Sequence, residues 1–263
     1  MDVDTQHLIQ ITDPHIGPRR DYRLAGVETL ETLRLVLAEI GGLALPPDLI
    51  CVTGDIAAEG ATEAYRLFTQ QMQFLELPYQ WLPGNHDDAR VIQEGFTAAP
   101  YWPLLELGAW RVISLNTAQP ERVGGHLADE ELGFLAHCLA EDPLAPTLLF
   151  MHHPPIPVGC AWLDAQRIDN AEHLEAILRR HANVRGIFTG HVHQEFHAHW
   201  AGTELYTTPA TCFQFRAASR DFALSEQPPG YRRINLHADG SLTTDVVFLA
   251  QGLTRVDKQL AGY

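Results

Sequence analysis

No two of the four cysteines, Cys51, Cys138, Cys160 and Cys212, stand at CxxC spacing. Neither a disulfide framework nor a zinc ribbon is therefore indicated, and a reducing compartment is the simpler reading. Cys51, inside an apolar run, reads as a small buried hydrophobe. No apolar stretch approaches the roughly 20 residues that a bilayer-spanning helix needs. Met1 to His7 carry acids and lack the basic and apolar regions of a secretory signal, so the expectation is a soluble, cytoplasmic protein with no membrane partner. Basic charge is scarce too: 18 Lys and Arg stand against 33 Asp and Glu, a formal net charge of −15. A nucleic-acid polymer needs a basic footprint to displace counterions, which excludes that partner class here. Repeats, low-complexity tracts and long linkers are also missing; the length fits one large domain or two small ones and can bury a substantial core without covalent staples.

What is present in quantity is histidine, 14 in all, and neutral imidazole is the commonest metal ligand. Short β-rich runs recur at residues 8–11, 49–52, 80–82, 112–115, 148–151 and 186–188, each ending at turn residues. Between several of them lie helical stripes: Val27, Leu30, Leu33, Leu37 and Ile40; Ala64, Leu67, Phe68, Met72 and Leu75; Leu132, Leu135 and Leu139; Leu174, Ile177 and Leu178. Alternating strands and helices point to an α/β core with parallel pairing. Residues 204–208, 231–236 and 243–248 read as further strands without long helices between them, and a second, more antiparallel sheet is their expected place.

In open α/β sheets ligands gather beyond the carboxyl ends of strands. Here five such ends carry metal-binding residue types: Asp13-Pro14-His15, Gly54-Asp55, Gly84-Asn85-His86-Asp87, His152-His153-Pro154 and Gly190-His191-Val192-His193. One Asp-x-His arises by chance, but five clusters in register with five strands do not. Imidazole with carboxylate suits borderline first-row ions such as Fe, Mn, Zn or Co. Asp55 is the natural bridge between two ions about 3.5–4 Å apart. Gly54, Gly84 and Gly190 are expected to let the backbone turn tightly at the metals.

These five motifs, in this order over residues 13–193, resemble the calcineurin-like metallophosphoesterases. The resemblance implies a four-layer αββα sandwich of two mixed sheets holding two divalent or mixed-valence ions. It implies Asp13, His15 and His193 on the first ion, Asn85, His152 and His191 on the second, and Asp55 on both. His86 would protonate the leaving oxygen, a role that imidazole suits by its pKa. His15, Asp55, Asn85, His86 and His193 would surround the substrate phosphate. His153 reads as a neighbour that supports a ligand, and Asp87 as either orienting His86 or capping its turn.

Softer likenesses extend the pattern. Glu59-Gly60, Tyr65, Cys160 to Asp164, Gln194-Glu195, Thr208 to Phe215, Pro228 to Arg232 and Leu236 to Gly240 are similar to bacterial class III cyclic-nucleotide phosphodiesterases. The activity implied is hydrolysis of 3′,5′-cyclic AMP to 5′-AMP, with a metal-bridging hydroxide attacking phosphorus; homodimers are common in that family. Pro14 within the first motif resembles the related glycerophosphodiester and broad-specificity phosphodiesterases. That likeness implies a second set of substrates, glycerophosphodiesters and 2′,3′-cyclic nucleotides. Trp162, Phe213 and Phe215 read either as core or as the lining of a base pocket. His197 and His199, in an alternating stretch, read as surface or supporting groups, as do His126, His137, His173, His181 and His237.

Overall fold

A computed structural model describes residues 5–88, 90–91, 101–250, 256–260 and 262; Met1 to Asp4, part of the acidic start, lie outside them. Strands β1 (Gln6–Ile11), β4 (Leu49–Thr53), β5 (Tyr79–Leu82), β12 (Gly230–Leu236) and β13 (Leu242–Phe248) form one sheet in the order β13-β12-β1-β4-β5. Strands β6 (Leu104–Leu107), β7 (Trp110–Ser114), β8 (Thr147–Met151), β9 (Val184–Thr189), β10 (Phe196–Trp200) and β11 (Thr203–Thr207) form a second, in the order β10-β11-β9-β8-β7-β6. A small hairpin, β2 (Arg23–Leu24) and β3 (Val27–Glu28), leads into the first helix.

Alternation within single strands generates the layers. Ile9 and Ile11 of β1 pack with Leu33 and Leu37 of α1 (Thr29–Gly41) and with Phe68 and Met72 of α2 (Thr62–Leu75). Leu8, on the opposite face of β1, joins Leu49, Trp110, Leu148, Phe150 and Phe188 in a layer between the sheets. From β8, Leu149 and Met151 turn away from that layer towards Leu135 and Leu139 of α3 (Asp129–Glu141) and Leu174 and Leu178 of α5 (Ala171–Leu178). The order is helix, sheet, sheet, helix, with two mixed sheets as expected. A short helix, α4 (Ala161–Asp164), lies on the loop after β8.

The central strands pair in parallel: β1 with β4 and β4 with β5 in one sheet, β7 with β8, β8 with β9 and β9 with β11 in the other. The C-terminal strands do not make a sheet of their own, which corrects the expectation above. β12 lies antiparallel beside β1 and β13 beside β12, while β11 continues the second sheet next to β9. Side-chain periodicity explains this: Ile234 and Leu236 enter the inter-sheet layer and Tyr231 the helix side, so β12 completes the same two faces that β1 serves. Val27, expected on the first helical face, belongs instead to β3.

Candidate metal centre

The loops after β1 and β4 stay in register beyond the strands. Asp13 N donates to Gly54 O (3.1 Å), His15 N to Asp55 O (2.9 Å) and Ile16 N to Ile56 O (2.8 Å). Along these loops, and in the loop after β9, side chains are aimed by an uncommon backbone. Asp13 (φ 50°), His15 (46°), Asp55 (51°), His191 (66°) and His193 (45°) all lie in the left-handed region. A residue with Cβ pays of order 1–3 kcal/mol for such strain and keeps it only where its surroundings over-determine it. Gly54 shares that backbone (φ 96°), but Gly84 and Gly190 are needed for close approach. A Cβ on Gly84 would overlap the Asp55 carboxylate, and one on Gly190 would overlap Thr12 Oγ1 and crowd Asp13 Oδ2.

The expected residues converge where the carboxyl ends of both sheets meet. Asp13, His15 and His193 place donor atoms within 4.8 Å of one another, as do Asp13, Asp55 and His152. His193 Nε2 lies 3.3 Å from Asp13 Oδ1, and His15 Nε2 lies 3.3 Å from His193 Nε2. Asp55 Oδ2 faces His152 Nε2 at 3.3 Å and His15 Nε2 at 3.6 Å, while its Oδ1 accepts the His86 amide at 2.9 Å. Asn85 Oδ1 meets His152 Nε2 at 3.2 Å. His191 clusters with His152 and His153.

A second ring of contacts turns these groups. His152 Nδ1 donates to Thr53 O and His193 Nδ1 to Phe213 O, both at 2.8 Å, so each ring presents Nε2 inwards. Thr12 Oγ1 (2.6 Å) and His191 N (3.1 Å) both donate to Asp13 Oδ2, which directs Oδ1 at the centre. Thr12, Thr53 O and Phe213 O escaped the sequence reading, because a backbone carbonyl or a lone hydroxyl carries no motif.

Electrostatics reflect crowded, dry surroundings. Burial pushes the Asp55 carboxyl up, but the imidazoles of His152, His86 and His15 outweigh it and hold the group well below the usual carboxylate range. Burial likewise opposes ionisation of Asp13, whose carboxyl is nonetheless lowered by His193 and His152. Burial depresses His15 to about 3 and drives His191 well below the ordinary imidazole value, which keeps both neutral. His152 is the exception: burial opposes its charge, yet Asp55 and Asp13 raise it to about 9.

These residues fit bound metal cations. Asp13 Oδ1 and His191 Nε2 are buried and have no hydrogen-bond partner among the described residues, a costly state for polar atoms that a bound ion would relieve. Two buried carboxylates at one point favour positive charge beside them, and His15 and His191, which burial keeps neutral, offer imidazole nitrogens of the right softness for a first-row ion.

His86 Nδ1 donates to Ala58 O at 2.9 Å, which sets its tautomer and orientation. Asp87 therefore does not orient His86. Its carboxylate caps the turn, accepting Ile56 N, Ala57 N, Gly84 N and Tyr65 Oη at 2.9–3.1 Å. His153 has both ring nitrogens engaged, Nδ1 with Thr117 Oγ1 (2.8 Å) and Nε2 with Val123 O (2.9 Å). His197 and His199 are exposed and share the carboxylate of Glu204 on the neighbouring strand, and His126 pairs with Asp169.

Above this floor opens a cavity of about 270 Å³. Asp55, Asn85, His86, His191 and His193 form its base, and Trp162, Phe215 and Phe222 its wall. Phe222 was missed in the sequence; the bridge between Phe215 and Leu224 folds its loop back over Trp162.

Two mixed sheets with buried imidazoles and carboxylates crowded at their shared carboxyl edge describe the metallophosphoesterase class. The chain belongs to the calcineurin-like phosphoesterase family, whose family model matches residues 7–195. It is 36% identical to the 3′,5′-cyclic adenosine monophosphate phosphodiesterase CpdA of Escherichia coli K12, over 97% of this chain and 94% of that one. A 3′,5′-cyclic-nucleotide phosphodiesterase of Nostoc is 33% identical, with 91% of each chain covered. Among solved structures, a dimetal phosphatase from Danio rerio shares the fold at a TM-score of 0.66 and 14% identity, covering 91% of this chain and 98% of that one.

Proposed function

We propose that this protein is a dinuclear metal-dependent phosphodiesterase that opens 3′,5′-cyclic AMP to 5′-AMP. The observation that carries the reading is the convergence of Asp13, His15, Asp55, His152 and His193 on one buried point between the sheets, in a chain whose full-length relatives are cyclic AMP phosphodiesterases. In this reading Asp13, His15 and His193 would hold one ion and Asn85, His152 and His191 the other, with Asp55 available to both. When bound, Fe, Mn, Zn or Co ions would supply an acidified water as nucleophile and polarise the phosphoryl oxygens.

The chain's own residues do the rest. His15, Asp55, Asn85, His86 and His193 frame the phosphate. His86, held through Nδ1 by Ala58 O, delivers a proton from Nε2 to the departing 3′ oxygen. We take residues 1–263 as one domain, in keeping with the shared layer between the sheets, and the cytoplasm as its compartment, in keeping with four buried cysteines that form no disulfide. Among the described residues no helix is long and apolar enough to cross a membrane.

The broader phosphodiesterase is the second reading, on the strength of Pro14 in the first motif. A side-by-side comparison of cyclic AMP, cyclic GMP, 2′,3′-cyclic AMP and glycerophosphoethanolamine separates the two. The highest kcat/KM is expected on cyclic AMP; a maximum on glycerophosphoethanolamine or 2′,3′-cyclic AMP would overturn the assignment.

A further inference from the structure

The wall of the cavity is built from three rings that touch one another edge to face. Trp162 lies 4.8 Å from Phe215 (80° between planes) and 5.3 Å from Phe222 (61°), and Phe215 lies 5.6 Å from Phe222 (66°). Phe215 also stacks on His193 at 4.2 Å and 24°, so the rings begin where the metal-ligand set ends. Trp162 and Phe222 are half-buried, offering ring surface to the cavity rather than losing it all to the core.

The wall is assembled in advance. Ala161 N and Cys160 Sγ both donate to Ser219 O, which ties α4 to the loop that carries Phe222. Val158 N donates to Asp164 Oδ1 at 2.7 Å, which fixes the entry to the same helix. A rigid wall saves the ordering cost that a mobile one would add to binding.

Its chemistry selects among diester substituents. Leu163 and Val123 extend the apolar surface, and Gln166 is the polar group beside it. Polyol hydroxyls buried against rings would lose hydrogen bonds to water without replacement. A quaternary ammonium is attracted to aromatic faces, but the carboxylate lining this cavity, Asp55, belongs to the floor. A nucleobase has what the wall rewards: flat apolar faces, and a polar edge that an amide can meet as donor or acceptor.

We propose that Trp162, Phe215 and Phe222 form the nucleobase subsite, binding the base by ring contact and apolar burial next to His193. This rests on the cyclic-nucleotide reading above. The test compares kcat/KM on cyclic AMP with kcat/KM on 3′,5′-cyclic ribose phosphate lacking a base, for the metal-loaded wild type, Phe222→Ala, Phe222→Leu, Trp162→Ala and Trp162→Phe. Metal content per chain checks that each variant is folded. Stacking of a base on an aromatic ring supports a loss of roughly 5- to 100-fold in the cyclic AMP to base-free ratio for each alanine variant. Trp162→Phe should recover part of it, and Phe222→Leu should recover less because it restores apolar bulk without a ring. Should Trp162→Ala not fold, the Phe222 pair decides alone. An unchanged ratio in folded, metallated Phe222→Ala overturns the subsite while leaving the enzyme reading intact. A wild type that cleaves the base-free diester as well as cyclic AMP overturns the subsite too, and a wild type that ignores cyclic AMP altogether overturns the reading on which it rests.

Discussion

At Asp55 the two carboxylate oxygens are already divided, Oδ1 on the His86 amide and Oδ2 between His15 and His152. Asp55→Ala would therefore remove charge from the middle of the centre and a partner from the His86 backbone. The variant is expected to lose at least one of two ions and its activity, and its thermal midpoint should fall because metal binding couples to folding. Metal analysis and a melting curve check this; two retained ions with normal turnover would contradict it. His86→Ala should behave differently. With the proposed ligands intact, metal content should hold while kcat drops roughly 10²–10⁴-fold, as for a lost general acid. The drop should shrink for a diester with a p-nitrophenol leaving group, which needs no proton. At this scale the sequence was informative wherever a residue type is itself the chemistry. Asp13, His15, Asp55, His152 and His193 were legible; Thr53 O and Phe213 O, which turn two of the rings, were not, since any residue supplies a carbonyl.

Loops rather than strands set the spacing of the centre. The turns after β4 and β5 approach so closely that Gly84 has no room for a side chain beside Asp55. Gly84→Ala should cost about 1–3 kcal/mol, the usual penalty of overpacking, and should lower activity further than that loss of stability explains. Denaturation and kcat/KM measured on one preparation would show it; a stable, fully active variant would mean that the two turns are looser than described. Strand ends were readable because Gly-Asp and Gly-His sit where apolar alternation stops. The placement of β12 was not, because alternation fixes which faces a strand buries but not which neighbour it pairs with. β10 differs: Phe196, Ala198 and Trp200 alternate with His197 and His199, a strand signal that stands in the sequence itself. Phe222 reaches the cavity only through tertiary folding of its loop.

Across the whole molecule, the site belongs to neither sheet alone. Gln10 of β1 donates to Thr53 Oγ1 in its own sheet (2.9 Å) and to Thr189 O in the other (3.3 Å), and accepts from Thr208 Oγ1 (2.5 Å). The fully buried Gln10 thus joins both sheets just beneath the centre. Net charge of −15 fits the same picture. No Lys or Arg lines the cavity among the described residues, so bound cations would be the main attraction for an anionic diester. The direction of ring opening tests this account most directly. Water labelled with heavy oxygen, cyclic AMP and protein with both metal sites filled should give 5′-AMP carrying one label on phosphorus, separable by chromatography and weighed by mass spectrometry. Formation of 3′-AMP, or no turnover of cyclic AMP with two ions bound, would contradict it.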